Sequence, residues 1–213
     1  MKVKTKQGKE FELLTSWDDG YSLDLRLAGL LEKYHLPGMF YIPTGLSDLS
    51  KKEIKGLSER FDIGSHTVSH RILRNIPLEE CYQELKDSKE QLQDIIGREV
   101  YSLCYPRGRY NKNVKCIAKD IGYREARTTK VLNLFTPTDP MAMETSVHVY
   151  NRKEYKGVYW LDIALDLFDT IMEPNSLYNY FHLWGHSWEI EKYNYWKHLE
   201  FLFSYIKNNA KNI

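Results

Sequence analysis

Short apolar or aromatic runs closed by Gly, Pro or charged residues recur along the chain. They alternate with stretches whose apolar residues return every three to four positions. The runs FELLTSW (Phe11 to Trp17), GMFYIP (Gly38 to Pro43), FDIGSH (Phe61 to His66), VYSLCYP (Val100 to Pro106), YREART (Tyr123 to Thr128), TSVHVY (Thr145 to Tyr150) and YNYFHLWGH (Tyr178 to His186) read as strands. Between them, Leu23, Leu27, Leu30, Leu31 and Tyr34 mark a helix that Pro37-Gly38 ends. A longer helix opens at Pro77, carries Leu78, Tyr82, Leu85, Leu92, Ile95 and Ile96 on one stripe, and stops at Gly97. Asn111 is placed to cap a helix bearing Val114, Ile117, Ala118 and Ile121, which Gly122 closes. Leu161, Leu165 and Phe168 mark another helix, and Leu199, Leu202, Phe203 and Ile206 the last. Seven strands alternating with about six helices predict an α/β protein with a largely parallel sheet. The length of 213 residues suits a single domain over 1–213, closed or nearly closed into a (β/α) barrel rather than an open doubly wound sheet. The Gly-rich phosphate fingerprint of nucleotide-binding sheets is also missing. Chemistry in such barrels collects at the C-terminal ends of the strands.

Charge and composition narrow the partners. With 30 basic against 29 acidic residues the formal net charge is +1, and no basic stripe offers a footprint for nucleic acid. No stretch is long and apolar enough to cross a membrane. The opening MKVKTKQGKE lacks the apolar segment of a signal peptide. The 3 cysteines (Cys81, Cys104, Cys116) cannot all pair and match no zinc-knuckle spacing, so they read as reduced thiols and the expected location is the cytoplasm. The 16 Tyr and 5 Trp serve cores, interfaces and sugar-binding grooves alike, because each joins an apolar face to a polar edge. The oligomeric state is not legible.

Three polar clusters close three separate strands. Thr15-Ser16-Trp17-Asp18-Asp19-Gly20 places two adjacent carboxylates at a strand end, where successive side chains alternate in direction. One can bind a metal while the other stays free as a base; taken alone, the run reads first as a surface turn. In His66-Thr67-Val68-Ser69-His70, two histidines four apart on a helical turn would project from one face, as paired metal ligands require. No Glu follows His66 as in metalloproteases, so the base must come from Asp18 or Asp19. In His182-Leu183-Trp184-Gly185-His186-Ser187-Trp188, His182, Trp184 and His186 share one strand face. His186 lies at the end of the run, where it can reach the site, and His182 lies deeper, as a packed and hydrogen-bonded ring. Trp184 and Trp188 read either as a sugar-binding wall or, for Trp184, as core.

Taken in order, Asp-Asp-Gly, His-Thr-x-x-Ser-His and a strand-terminal His resemble the polysaccharide deacetylases of the NodB homology domain, the family-four carbohydrate esterases. The resemblance runs from about Thr15 to His186. It implies a deformed (β/α) barrel in which Asp19, His66 and His70 hold a divalent metal, zinc by default, with Co2+, Ni2+, Fe2+ or Mn2+ also fitting the ligand set. Asp18 is then the catalytic base and His186 the acid, acting on an N-acetylated or O-acetylated saccharide. Related barrels also take small non-sugar amides. The third motif falls at Tyr105-Pro106-Arg107-Gly108: Tyr105 and Pro106 are expected beside the substrate, and the amide of Arg107 is expected to stabilise the oxyanion. Two residues depart from the family pattern, Cys104 where many members carry an arginine that orients the catalytic Asp, and Arg107 where an aromatic is usual. Arg127, at the end of the next strand, can supply the missing charge, or can be an ordinary ion pair. The family's Asp-Trp motif is not recognisable, and Thr136 to Pro140 reads as a loop followed by Met141-Ala142-Met143, which lies beside the groove or packs. Two other readings stay open: a non-haem iron oxygenase shares the two-His, one-carboxylate set but gives Asp18 and His186 no task, and a degenerate barrel would only bind sugar.

Overall fold

The computed structural model describes residues 1–211. A short strand β1 (Lys2–Lys4) precedes the seven expected strands: β2 (Glu10–Asp18), β3 (Met39–Ile42), β4 (Asp62–Ser65), β5 (Ser102–Cys104), β6 (Glu125–Arg127), β7 (Val147–His148) and β8 (Tyr180–His186). These seven pair in parallel in the order β6-β5-β4-β3-β2-β8-β7, and β1 lies antiparallel on β2. The sheet curls into a deformed (β/α) barrel. Backbone hydrogen bonds join the β6 edge to the segment that leads into β7: Met143 N–H donates to Ala126 O (2.9 Å), and Thr128 N–H donates to Met143 O (2.8 Å).

Helices α1 (Asp24–Tyr34), α2 (Lys51–Ser58), α3 (Leu78–Ile96), α4 (Lys112–Asp120), α5 (Trp160–Met172), α6 (Ser187–Lys192) and α7 (Trp196–Asn209) surround it. All but α2 and α6 fall where apolar spacing places them. Helix α2 carries only Ile54 and Leu57 as buried apolar residues, too few to register as a stripe, and is started by a Ser50–Glu53 capping box. Helix α6 is too short to show a period.

Alternation along the strands sorts the residues into two faces. Leu13, Trp17, Phe40, Ile42, Ile63, Leu103, Ala126, Phe181 and Leu183 join the helices in one hydrophobic core outside the sheet. Trp17 meets Phe203 of α7 edge-on, and Phe181 meets Phe168 of α5 in the same way. The opposite face, turned into the barrel, is polar and aromatic. Tyr41 Oη lies 2.7 Å from Ser102 Oγ. The His182 ring sits between Ser16 Oγ and Tyr180 Oη, each 2.8 Å away, as the sequence led us to expect of a packed histidine. Gly64 leaves the room Tyr41 needs, since a Cβ there would lie 2.4 Å from its ring. Met141 is buried in the core rather than beside the groove.

Parallel pairing of β2 with β8 matches Asp18 to His186, and pairing with β3 matches Asp18 to Tyr41. The three expected polar clusters therefore meet at one end of the barrel. Behind them, Asp24 begins α1 fully buried, with neither carboxyl oxygen in a hydrogen bond of good geometry. Burial pushes its pKa up to about 8; the nearby Ser187 hydroxyl opposes the shift, and the Asp18 and Asp19 charges add to it. A carboxyl whose folded pKa is raised stabilises the fold fully at pH below its unfolded value, and that contribution is lost as pH climbs towards 8. Asp24→Asn removes the ionisation, so its stability relative to wild type should rise between pH 5 and 8 by on the order of 1 kcal/mol per pH unit, read from urea midpoints. A difference that stays flat across that range would show that Asp24 is charged in the folded protein.

Candidate active site

Asp18 ends β2, and Asp19 and Gly20 follow in the left-handed region at φ 80° and 61°. Gly20 is required by contact as well as by φ, because a Cβ would lie 2.6 Å from Ser47 Oγ, which hydrogen-bonds the Gly20 carbonyl. This turn separates the two carboxylates. Asp18 points into the barrel, where Arg127 Nη2 donates to both of its oxygens and both side chains are buried. Asp19 points into the cleft, with Oδ1 3.7 Å from His66 Nε2 and 3.8 Å from His70 Nε2. Its Oδ2 accepts from Trp188 Nε1 at 3.0 Å.

His66 follows β4 and lies 2.8 Å through Nδ1 from the carbonyl of Cys104. A carbonyl only accepts, so Nδ1 carries the proton and Nε2 offers its lone pair to the cleft. Burial, outweighing the pull of Asp18, drives the His66 pKa down to about 4, which keeps the ring neutral near pH 7. The expected helical turn between His66 and His70 does not form. Thr67 and His70 have φ of 67° and 54°, and the segment is a loop. Glu84 of α3 holds it open by accepting from the amides of Val68 (3.0 Å) and Ser69 (2.9 Å) and from the Ser69 hydroxyl. Thr67 Oγ1 accepts the His70 amide. The two rings still come together, 4.6 Å between centroids. Asp19, His66 and His70 bring one donor atom each within 4.8 Å of the others, a spacing one ion could bridge.

Among the described residues, two other clusters meet the same spacing, Asp18 with His66 and Cys104, and His148 with His186 and Glu189. The first is compromised as a ligand set because Asp18 is committed to Arg127 and burial lifts the Cys104 thiol well above its usual pKa. In the second, Glu189 of α6 accepts from both imidazoles, His186 Nδ1 at 2.5 Å and His148 Nε2 at 2.9 Å. His148 also stacks on Trp184, with centroids 3.8 Å apart.

The charges in this cluster sort the protons. For Asp18, burial raises the pKa, but the Arg127, His66 and His186 charges overcome it and hold the carboxyl well below the carboxylate range. For His186, burial lowers the pKa, yet the Glu189 hydrogen bond with the Asp18, Glu189 and Asp19 charges leaves it above the usual imidazole value. His186 Nε2 faces both aspartates at 3.9 Å. For Glu189 the two imidazoles outweigh burial and hold the pKa at about 2.

The cleft encloses about 900 Å3, and its lining includes Asp18, Asp19, His66, His70, Arg107, Trp184, His186 and Trp188. Tyr105 and Pro106 do not line it, which corrects their expected place beside the substrate. Tyr105 is fully buried, stacked on Tyr110 at 4.8 Å and bonded through its hydroxyl to the Met141 carbonyl, so it supports the turn from below. Arg107 sits on that turn at φ 55° with an exposed side chain. Trp184 is buried beneath the cleft with the Arg127 guanidinium 4.5 Å from its ring.

Glu84, His148 and Glu189 are the residues sequence reasoning missed. Glu189 stands three residues after His186 at the start of a helix, a spacing that could have drawn attention to it. Nothing local points from Glu84 to the loop it holds.

The polysaccharide deacetylase family model matches residues 5–126, and the chain belongs to that family. Asp18, Asp19, His66 and His70 fall inside the matched stretch, and Arg127 and His186 fall beyond it. The chain is similar to the Streptococcus pyogenes deacetylase PplD, solved with acetate, at 23% identity over 62% of each chain with TM-score 0.57. It is similar to a Bacillus cereus polysaccharide deacetylase at 28% identity over 62% of this chain and 46% of that one, with TM-score 0.55. It also resembles a family-four pseudoenzyme from Bacillus anthracis, at 12% identity over 92% of this chain and 60% of that one, with TM-score 0.64. At their identities the first and third likenesses are ones of fold. The chain thus spans 62% and 46% of the first two proteins' lengths. No curated protein matches it.

Two outcomes follow from this geometry. Glu189→Gln should lower the His186 pKa, seen as a shift of its imidazole NMR titration to lower pH in metal-free protein; an unmoved midpoint would show that Glu189 does not tune it. Arg127→Ala should lower stability by about 3–5 kcal/mol, because Asp18 is left buried without a counter-charge. A loss below about 1 kcal/mol would mean that water reaches Asp18 once the guanidinium is gone.

Proposed function

We propose that this protein hydrolyses acetyl groups from an N-acetylated or O-acetylated saccharide, using Asp19, His66 and His70 to hold a divalent metal. The observation that carries this reading is the division of Asp18 and Asp19, one held by an arginine inside the barrel and the other facing two imidazoles in the cleft. Zn2+ is the simplest fit to one carboxylate and two imidazoles, and Co2+, Ni2+, Fe2+ and Mn2+ are compatible. When bound, the ion supplies Lewis-acid polarisation of the acetyl carbonyl and lowers the pKa of water.

The remaining work belongs to side chains of this chain. Asp18, kept ionised by Arg127, accepts the proton of the attacking water. His186, protonated with the help of Glu189, donates its Nε2 proton to the departing amine or alkoxide, so acetate and the free sugar leave with the proton count balanced. The Arg107 amide stabilises the oxyanion of the tetrahedral intermediate. Trp188 orients Asp19 through its indole N–H, and Trp184 fixes the guanidinium behind Asp18, so the two indoles act through the aspartates as well as lining the cleft.

Acetate release from N-acetylglucosamine oligomers and acetyl esters by metal-loaded protein tests this assignment. Release should depend on the metal and fall by about 10²-fold or more in Asp18→Asn and His66→Ala. Arg127→Ala should also lose turnover. Wild type that binds metal yet releases no acetate from any of these compounds would overturn the saccharide reading and favour a small non-sugar amide or a binding-only barrel. Full activity in Asp18→Asn would overturn the role of the base alone.

A further inference from the structure

The chain as a whole is balanced, at net +1, but its cleft is not. Beyond the residues already assigned to the reaction, the lining holds the cationic side chains of Arg74, Arg107, Arg109, Lys130, Arg152 and Lys153, and a single further carboxylate, Glu154. Glu154 is taken by Arg152 at 3.2 Å, and Lys130 by Glu144 at 2.8 Å. Among the described residues, no carboxylate lies within ion-pair distance of Arg74, Arg107, Arg109 or Lys153, all of which are exposed.

These free cations reach the cleft from three separate segments: the turn Leu73–Asn75 beyond the His66–His70 loop, the turn Pro106–Gly108 after β5, and the turn Lys153–Tyr155 before α5. Like charges gathered on one rim repel unless an anion lies between them, and three of the four are arginines, whose planar forks suit phosphate and carboxylate. The Arg107 turn is also held in place. Gly108 packs so closely on Thr129 that a Cβ would lie 2.6 Å from its backbone nitrogen, and Thr129 Oγ1 donates to the Arg107 carbonyl at 3.4 Å.

We infer that the saccharide this cleft takes carries an anionic group, a phosphate or a carboxylate, which docks on Arg74, Arg107, Arg109 and Lys153 while the acetyl group lies at the aspartates and histidines. The inference rests on the deacetylase reading for the acetyl group, and on the rim alone for the anion. A cationic rim around a metal centre would also draw an anionic substrate in at low salt, whereas a neutral glycan would gain nothing from it.

The test compares three N-acetylglucosamine trimers on metal-loaded protein: one neutral, one bearing a phosphate monoester and one bearing a uronate carboxylate. At low salt at least one charged trimer should exceed the neutral one roughly tenfold in kcat/KM, and the advantage should shrink as salt is raised. The double variant Arg74→Glu, Arg109→Glu should abolish the advantage by raising KM for the charged trimer, with kcat on the neutral trimer kept. Which charged trimer is preferred identifies the anion. Equal kcat/KM for all three, or a double variant that slows all three alike, would overturn the inference. If no trimer releases acetate, the deacetylase reading fails, and calorimetric binding decides the inference separately. Tighter binding of a charged trimer that the double variant removes upholds it, and equal binding of all three overturns it.

Discussion

The ion pair between Asp18 and Arg127 is the interaction on which the rest of the site is arranged. Both side chains are shut off from solvent inside the barrel, and two charges in such a place cost several kcal/mol to desolvate unless geometry and further hydrogen bonds repay it. The barrel supplies both. Arg127 Nη2 reaches the two Asp18 oxygens and the Cys104 sulfur, and Nη1 donates to the Thr128 carbonyl at 3.0 Å. The guanidinium lies over the ring of Trp184 at 4.5 Å and beside that of Tyr41 at 5.3 Å. Those rings come from β8 and β3, the two strands that flank β2, so the pair ties together the elements that set the register of the catalytic end. Trp184 in turn stacks on His148, His148 shares Glu189 with His186, and His186 faces Asp18 again, which closes a loop of contacts around the cleft.

The departures from the family pattern also make sense around this pair. The resemblance leads one to expect an arginine at position 104, where this chain has Cys104. In the sheet, Cys104 and Arg127 are direct partners across β5 and β6. A small side chain on one strand leaves volume that a long one on its neighbour can fill. Arg127 thus brings a counter-charge to Asp18 from the strand beside the one that carries Cys104. A motif read along the chain registers only the missing arginine, and it is the pairing of β5 with β6 that brings Arg127 to the carboxylate.

That contrast shows what the sequence made legible. All seven parallel strands could be read as short apolar runs, since both of their faces are buried, and the helices with broad apolar stripes from periodicity, since burial on one face imposes it. Asp18, Asp19, His66, His70 and His186 could be located because each closes a strand-like run, and parallel pairing then brings the ends together. The helical turn for His66 to His70 was misread because equal spacing says nothing of backbone conformation. The loop owes its shape to left-handed residues and to Glu84, which belongs to α3 and is recruited only in three dimensions. Tyr105 was misplaced for a related reason. A motif position beside the site does not fix which way the side chain points, and here it points down into the Tyr110 stack.

The same dependence on tertiary partners governs the histidines, which are chemically identical in the sequence and distinct in the fold. His182, buried between two hydroxyls, has its pKa driven well below the usual value, chiefly by burial, and serves as packing. His66, equally buried, gives Nδ1 to a carbonyl and keeps a lone pair for the cleft. His186 has the Glu189 carboxylate as partner and, with the Asp18 and Asp19 charges added, stays above the usual imidazole value, whereas burial drives His148, bonded to the same carboxylate, down to about 4. The three rings therefore differ in what they touch: a carbonyl for His66, a carboxylate for His186 and two hydroxyls for His182. The acceptor on His186 comes from the six-residue helix α6 that directly follows β8, so the strand that carries His186 and the helix that raises its pKa are laid down as one continuous piece of chain.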